Sequence, residues 1–109
     1  MPHDDLGVGD PPLVFVPGWC CDRSLFAPQV EHFSARHRVV AVDPRHGGDI
    51  PALADDVASL CAELGLERPV VVGHSLGGMI GIELAARHPS LPLAVIGVDP
   101  GPIHATPEA

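Results

Sequence analysis

Ser75 is the residue through which this chain could do covalent chemistry. It stands at the centre of Gly73-His74-Ser75-Leu76-Gly77, directly after the apolar run Val70-Val71-Val72 and directly before a helical pattern. A serine behind a buried strand can be presented for attack only if the chain reverses within a couple of residues. That reversal crowds the backbone, and glycines two positions before and after the serine relieve it. The hydroxyl is a weak nucleophile until a general base takes its proton, so the histidines and carboxylates matter next. His74 adjoins Ser75, but a tight turn sends adjacent side chains in different directions, and it reads as a packing residue. His104 lies on a Pro- and Gly-rich segment with no element to hold it. Asp43, Arg45 and His46 read as braces of their own loop. Cys20 and Cys21 lack the strand-turn-helix presentation of Ser75, so they read as reduced thiols, with a nucleophilic role as the alternative.

The surrounding pattern supplies the elements that must position this serine. Leu13-Val14-Phe15-Val16 is a continuous apolar run stopped by Pro17-Gly18, the signature of a strand buried on both faces. Asp22 and Ser24 suit an N-cap and Pro28 a first helical turn, predicting a short helix that carries Leu25, Phe26, Val30 and Phe33 and ends near Arg36. Val39 to Val42 is a second strand. Asp43 to Gly48 is rich in turn formers, and Pro51 then opens a helix with Leu53, Val57, Leu60, Cys61 and Leu64 on one stripe and Gly65 as its stop. Pro69 to Val72 is the third strand, Leu76 to Arg87 a helix closed by His88-Pro89, and Leu93 to Val98 the fourth strand. Gly77, Gly78 and Gly81 would each cost an isolated helix up to about 1 kcal/mol relative to Ala, which makes sense where backbone must approach strands closely.

Strands alternating with helices predict an α/β fold, with a parallel sheet and helices on both faces. A sheet wound both ways from its first strand has the order second, first, third, fourth. The first and third strands then flank a topological switch point, and ligands bind beyond their carboxyl ends. Two loops separated by more than fifty residues, Pro17 to Asp22 and Gly73 to Gly77, are thereby expected to wall one crevice.

Composition limits the partners. The 109 residues contain six basic and fourteen acidic side chains, for a net charge of -8, and are 46% hydrophobic. That supports one modest core, while the charge repels phosphate backbones and anionic headgroups, so neither nucleic acid nor membrane is expected as a partner. No run of eighteen apolar residues occurs and the first residues lack a basic then apolar leader, so a cytoplasmic location is expected. Three cysteines, two of them adjacent, make neither a disulfide framework nor a zinc spacing.

With these motifs in place the chain resembles the α/β-hydrolase fold family, in particular its small esterase-, lactonase- and perhydrolase-like members. The likeness rests on the strand before Pro17-Gly18-Trp19-Cys20-Cys21-Asp22, the Asp43 to Gly48 loop, the Gly73 to Gly78 elbow and the strand end Val98-Asp99-Pro100. Where the family usually has His-Gly after the first of these strands, this chain has Pro17-Gly18. The resemblance implies a Ser75 acyl-enzyme on a carboxylic ester, lactone or similar acyl substrate, with no metal or organic cofactor. It implies an oxyanion hole made of the Leu76 and Trp19 amides.

The family triad runs serine, acid, histidine along the chain, and its histidine is not identifiable among these residues. Asp99 is the candidate acid, the alternative being that it starts a turn before Pro100-Gly101. The likeness covers the amino-terminal half of the usual domain. Residues 1-109 are therefore expected to form a single partial domain with its core at about 12-102. One reading is an enzyme, and the other is a catalytically incomplete segment or a half-domain needing a partner chain. The strand at 93-98 is expected to be a sheet edge that self-associates or accepts strands from another chain.

Overall fold

The computed structural model describes residues 1-99, and Pro100 to Ala109, with His104 among them, lie outside the described residues. Five strands form one sheet in the order β1-β3-β2-β4-β5. They are β1 (His3–Leu6), β2 (Leu13–Val16), β3 (Val39–Val42), β4 (Val70–His74) and β5 (Ala94–Val98). β2 pairs in parallel with β3 on one side and β4 on the other, and β4 pairs in parallel with β5, so the four anticipated strands lie in the anticipated order.

The sheet departs from the four-stranded parallel expectation at one edge. β1 adds a fifth strand, antiparallel to β3, with His3 opposite Val42 and Leu6 opposite Val39. Its sequence, His-Asp-Asp-Leu, has no apolar alternation because an edge strand that is exposed along most of its length buries little. Pairing holds it instead. The Arg38 guanidinium forks onto Asp5 at 3.0 and 2.7 Å, and Arg23 Nε lies 3.0 Å from Asp4.

Helices cover both faces. On one face α1 (Ala27–Phe33), entered through a 3-10 turn at Arg23–Phe26, packs Phe26 and Val30 against Leu13, Phe15, Val39 and Ala41. Asp22 caps that turn by accepting the Ser24 N–H at 2.9 Å. On the other face α2 (Ile50–Leu64) and α3 (Leu76–Arg87) bury Leu53, Val57, Leu60, Ile80 and Leu84 against Val14, Val16, Val40, Val42 and Val71. Asp49 starts α2 by accepting the Ala52 N–H at 2.8 Å, and Gly65 ends it in the left-handed conformation at φ +67°. The division between faces follows from strand alternation: even-numbered valines of β2 and β3 face α2 and α3, and their odd-numbered neighbours face α1.

Cover is incomplete at β5. Val95 packs against the α2 and α3 side, while Ile96 and Val98 on the opposite face are 50% and 47% exposed. They continue the half-buried row of Val70, Val72 and His74 in register on β4.

Candidate active site

The parallel pairing of β2 with β4 brings their carboxyl ends side by side, with Val16 opposite Gly73. Both loops that follow therefore emerge at the same end of the sheet. β4 runs two residues further than the apolar run suggests, through His74, and the chain reverses at Ser75 alone before α3 begins. Ser75 takes φ +55° and ψ -119°, a left-handed region that side chains rarely enter. Strain of about 1-3 kcal/mol at such a residue persists only where the surroundings enforce it.

Those surroundings are visible. The Ser75 N–H donates to Val98 O at 3.0 Å, and Ser75 O accepts from Gly78 N at 2.9 Å. A Cβ on Gly73 would overlap the Gly77 carbonyl, and one on Gly77 would overlap the Val16 carbonyl, so neither position admits a side chain without moving backbone. A Cβ on Gly18 would come within 2.9 Å of Ser75 Cβ, placing the two loops in contact. Farther along α3, a Cβ on Gly81 would lie 2.9 Å from Val95, the close approach to strands expected of these glycines.

Serine at a helix start ordinarily spends its hydroxyl capping the next N–H groups. Ser75 makes no such bond, so the oxygen is left for other work. Leu76, the first residue of α3, offers an N–H with no intrahelical acceptor and the positive end of the helix dipole. Leu76 and Trp19 line one cavity of about 140 Å³, whose walls also include Cys20, Cys21 and the Pro44 to Gly48 loop. Trp19 itself is 68% exposed, so its indole roofs the opening rather than filling the core. Ser75 is not itself among the lining residues but lies against Gly18, the neighbour of Trp19, and immediately precedes Leu76.

Asp99 follows the β5 strand beside the elbow, at φ +47° and exposed. Among the described residues it has no histidine partner. The histidines with recorded polar partners use them elsewhere: His3 meets Met1 O, His37 meets Pro11 O at 2.8 Å, and His88 meets Asp55 at 2.8 Å. His32 packs edge-on against Phe33, and His46 lies on the cavity wall. His74 packs beneath the Gly18 turn, its Nδ1 3.3 Å from where a Gly18 Cβ would be. That nitrogen is buried with no hydrogen-bond partner among the described residues, an arrangement that costs about 1-3 kcal/mol and that nothing in the sequence announces.

The loop after β3 braces as expected. Asp43 accepts from both the backbone and the guanidinium of Arg23, and Arg45 pairs with Asp56 of α2 at 2.8 Å. His46 differs from that expectation by bordering the cavity. A larger cavity, about 690 Å³, lies away from the elbow, between β1 and α1, with Asp4, Arg23, Glu31 and Asp43 on its walls. Its walls include neither Ser75 nor a residue of the Gly73 to Gly78 turn. Among the described residues no cluster of three or more His, Cys, Asp or Glu is arranged to hold a metal ion, and no helix is long and apolar enough to cross a membrane.

Comparison with known proteins agrees with this geometry. A family model described as alpha/beta hydrolase fold matches residues 11–109, and the chain belongs to the α/β-hydrolase fold family. It is 42% identical over 78 residues to RutD of Rhizobium rhizogenes, named as a presumed carbamate hydrolase, covering 62% of this chain and 30% of that one. It is 34% identical over 95 residues to the AB hydrolase superfamily protein YisY of Bacillus subtilis, covering 78% of this chain and 35% of that one. Among solved structures, a thermophilic esterase from Thermogutta terrifontis superposes with a TM-score of 0.85 at 30% identity, covering 99% of this chain and 42% of the esterase. Est816, described as an N-acyl homoserine lactone degrading enzyme, gives 0.83 at 29% identity, with coverage of 87% and 40%. The chain thus spans between 30% and 42% of the length of these relatives.

Proposed function

We propose that this chain carries the nucleophile half of a serine hydrolase acting on a carboxylic ester, lactone or related acyl substrate. One observation supports this above the others: Ser75 is held at φ +55° against the Gly18–Trp19 turn with its hydroxyl withheld from capping. In this reading Ser75 Oγ attacks the acyl carbon and the carbonyl electrons move onto oxygen. The N–H groups of Leu76 and Trp19 donate to that oxyanion, each worth roughly 3 kcal/mol of barrier. The leaving group departs to give an acyl-Ser75 ester, which water hydrolyses. Asp99 is the acid that orients the general base, and the base enters from chain beyond the described residues. A cytoplasmic setting belongs to the same proposal, supported by three free cysteines.

A second reading is favoured by β5. Its apolar outer face is open, and the chain spans well under half of its relatives, so the segment is incomplete until a further hydrolase segment adds strands to that edge. A fluorophosphonate probe tests both. Serine-dependent labelling of the folded chain, lost in Ser75→Ala, is expected of autonomous acyl chemistry. Labelling that needs an added complementing segment selects the second reading. Folded protein that never reacts at Ser75 under either condition refutes the proposed nucleophile.

A further inference from the structure

Beside the Ser75 turn, two more nucleophilic side chains occupy consecutive positions on the wall of one cavity. Cys20 is exposed and Cys21 half-buried, and both border the space of about 140 Å³ that Trp19 and Leu76 also line. They lie in a turn closed by the Cys21 N–H donating to Gly18 O at 3.1 Å, with Cys20 at φ +60°. In extended backbone consecutive side chains would leave on opposite faces. The turn abolishes that alternation, and both residues border the same opening.

Their spacing decides what the pair can do. Neighbouring Cα atoms across a trans peptide are about 3.8 Å apart, whereas those joined by a disulfide usually stand about 4.4–6.8 Å apart. A direct sulfur–sulfur bond between neighbours is therefore strained, and the pair persists as two thiols. A single soft atom with two replaceable ligands can instead bridge the sulfurs without bringing them into bonding distance of each other, and soft centres prefer thiolate ligands. Cys61, the third cysteine, is no competitor: it is buried in the core against α2's neighbours and burial pushes its thiol up to about 11.

We propose that Cys20 and Cys21 form a dithiol site that captures soft, thiophilic electrophiles of the trivalent arsenical class at the mouth of the cavity. With phenylarsine oxide the arsenic–oxygen double bond is replaced by two arsenic–sulfur bonds. The two thiol protons leave with the oxygen as one water, and no atom changes oxidation state. The site needs nothing from Ser75, so it stands or falls separately from the acyl chemistry.

Trp19, the one tryptophan of the chain and next to Cys20, reports on it directly. Titrating the intact chain with phenylarsine oxide is expected to change Trp19 emission with one arsenical bound per chain, reversed by a small competing dithiol. Cys20→Ser and Cys21→Ser are each expected to weaken capture at least tenfold. Alkylating one of the two thiols of the unaltered chain with iodoacetamide is expected to do the same, which keeps the test independent of how the variants fold. Capture that survives loss of either thiol, two arsenicals per chain, or an adduct mapped by mass to Cys61 would each overturn the proposal.

Discussion

The two edges of the sheet are built on opposite principles. At β1 the edge carries Asp4 and Asp5, each tied to an arginine outside the strand, and Arg38 also donates to Leu64 O at 2.9 Å where α2 ends. Charged, pinned side chains of this kind stop a strand from templating another chain. At β5 the edge is apolar and bears no ion pair among the described residues, and Ile96 and Val98 lie open on the face that α1 covers elsewhere. One edge is finished and the other has the composition of an interior strand. The Ser75 turn follows β4, next to the unfinished side, so its hydrogen bond from Ser75 N–H to Val98 O depends on the strand with least support.

The sharpest way to break this contrast is to compare one residue type on both faces. Ile80 of α3 is fully buried against the sheet, and Ile80→Ala should destabilise the chain by about 2–5 kcal/mol, because the surroundings only partly close the cavity it leaves. Ile96→Ala, at a half-exposed site, should stay within about 0.5 kcal/mol. Urea denaturation of the two variants measures both numbers. Equal losses would mean that the outer face of β5 is already covered, and the unfinished edge would have to be given up.

The edges can next be set against each other directly. If β5 is open, the isolated chain self-associates through it, and Val98→Lys should weaken that association at least about tenfold, or 1.4 kcal/mol. Asp4→Val should do the reverse at β1 by stripping its guard. Sedimentation velocity across a concentration series reads both changes, and a clean monomer at every concentration in the parent chain removes the premise.

The contrast also explains what the sequence reveals. β2, β3 and the length of α2 are legible because burial on both faces writes a continuous apolar run or a heptad-like stripe, and Gly65 marks its own stop. β1 is illegible because an edge strand held by pairing and arginines needs no hydrophobic pattern. Asp49 is a standard cap overlooked beside the more conspicuous Pro51. At the site, the Gly73 to Gly77 spacing discloses the turn since only glycine fits where backbone overlaps. The unpartnered His74 Nδ1 and the His46 wall cannot be read from spacing, as both depend on how three loops separated by tens of residues converge.

Helix starts repeat the comparison on a smaller scale. α2 begins with a working cap, so Asp49→Ala should cost about 1 kcal/mol. α3 begins with a serine that caps nothing and is strained, so Ser75→Gly should leave stability unchanged or raise it by about 1 kcal/mol while removing the hydroxyl. Thermal melts of the pair suffice. A Ser75→Gly variant as damaged as Asp49→Ala would show that the hydroxyl supports the fold, undercutting the idea that it is reserved for chemistry.

The smallest expected effect concerns the charge clamp between the helices α2 and α3. Asp55 of α2 accepts from Arg87 at 3.1 and 2.9 Å and meets His88 at 2.8 Å, tying the end of α3 to α2. The Arg87 guanidinium, and then His88, hold the Asp55 carboxyl down at about 2 from its ordinary 3.8. A depressed carboxyl favours the folded chain wherever it is ionised in both states, so its contribution is complete above about pH 4 and fades as pH falls toward 2. The groups are open to water, which keeps the gain small. Melting temperature should therefore drop on acidification through this window, and Asp55→Asn should flatten part of that slope while leaving the melt near pH 7 only slightly lower. An unchanged slope in Asp55→Asn would move the acid sensitivity to the other carboxyls held below their ordinary range, Asp5 beside Arg38 at the β1 edge and Asp22 bonded to Ser24, and away from the helix pair.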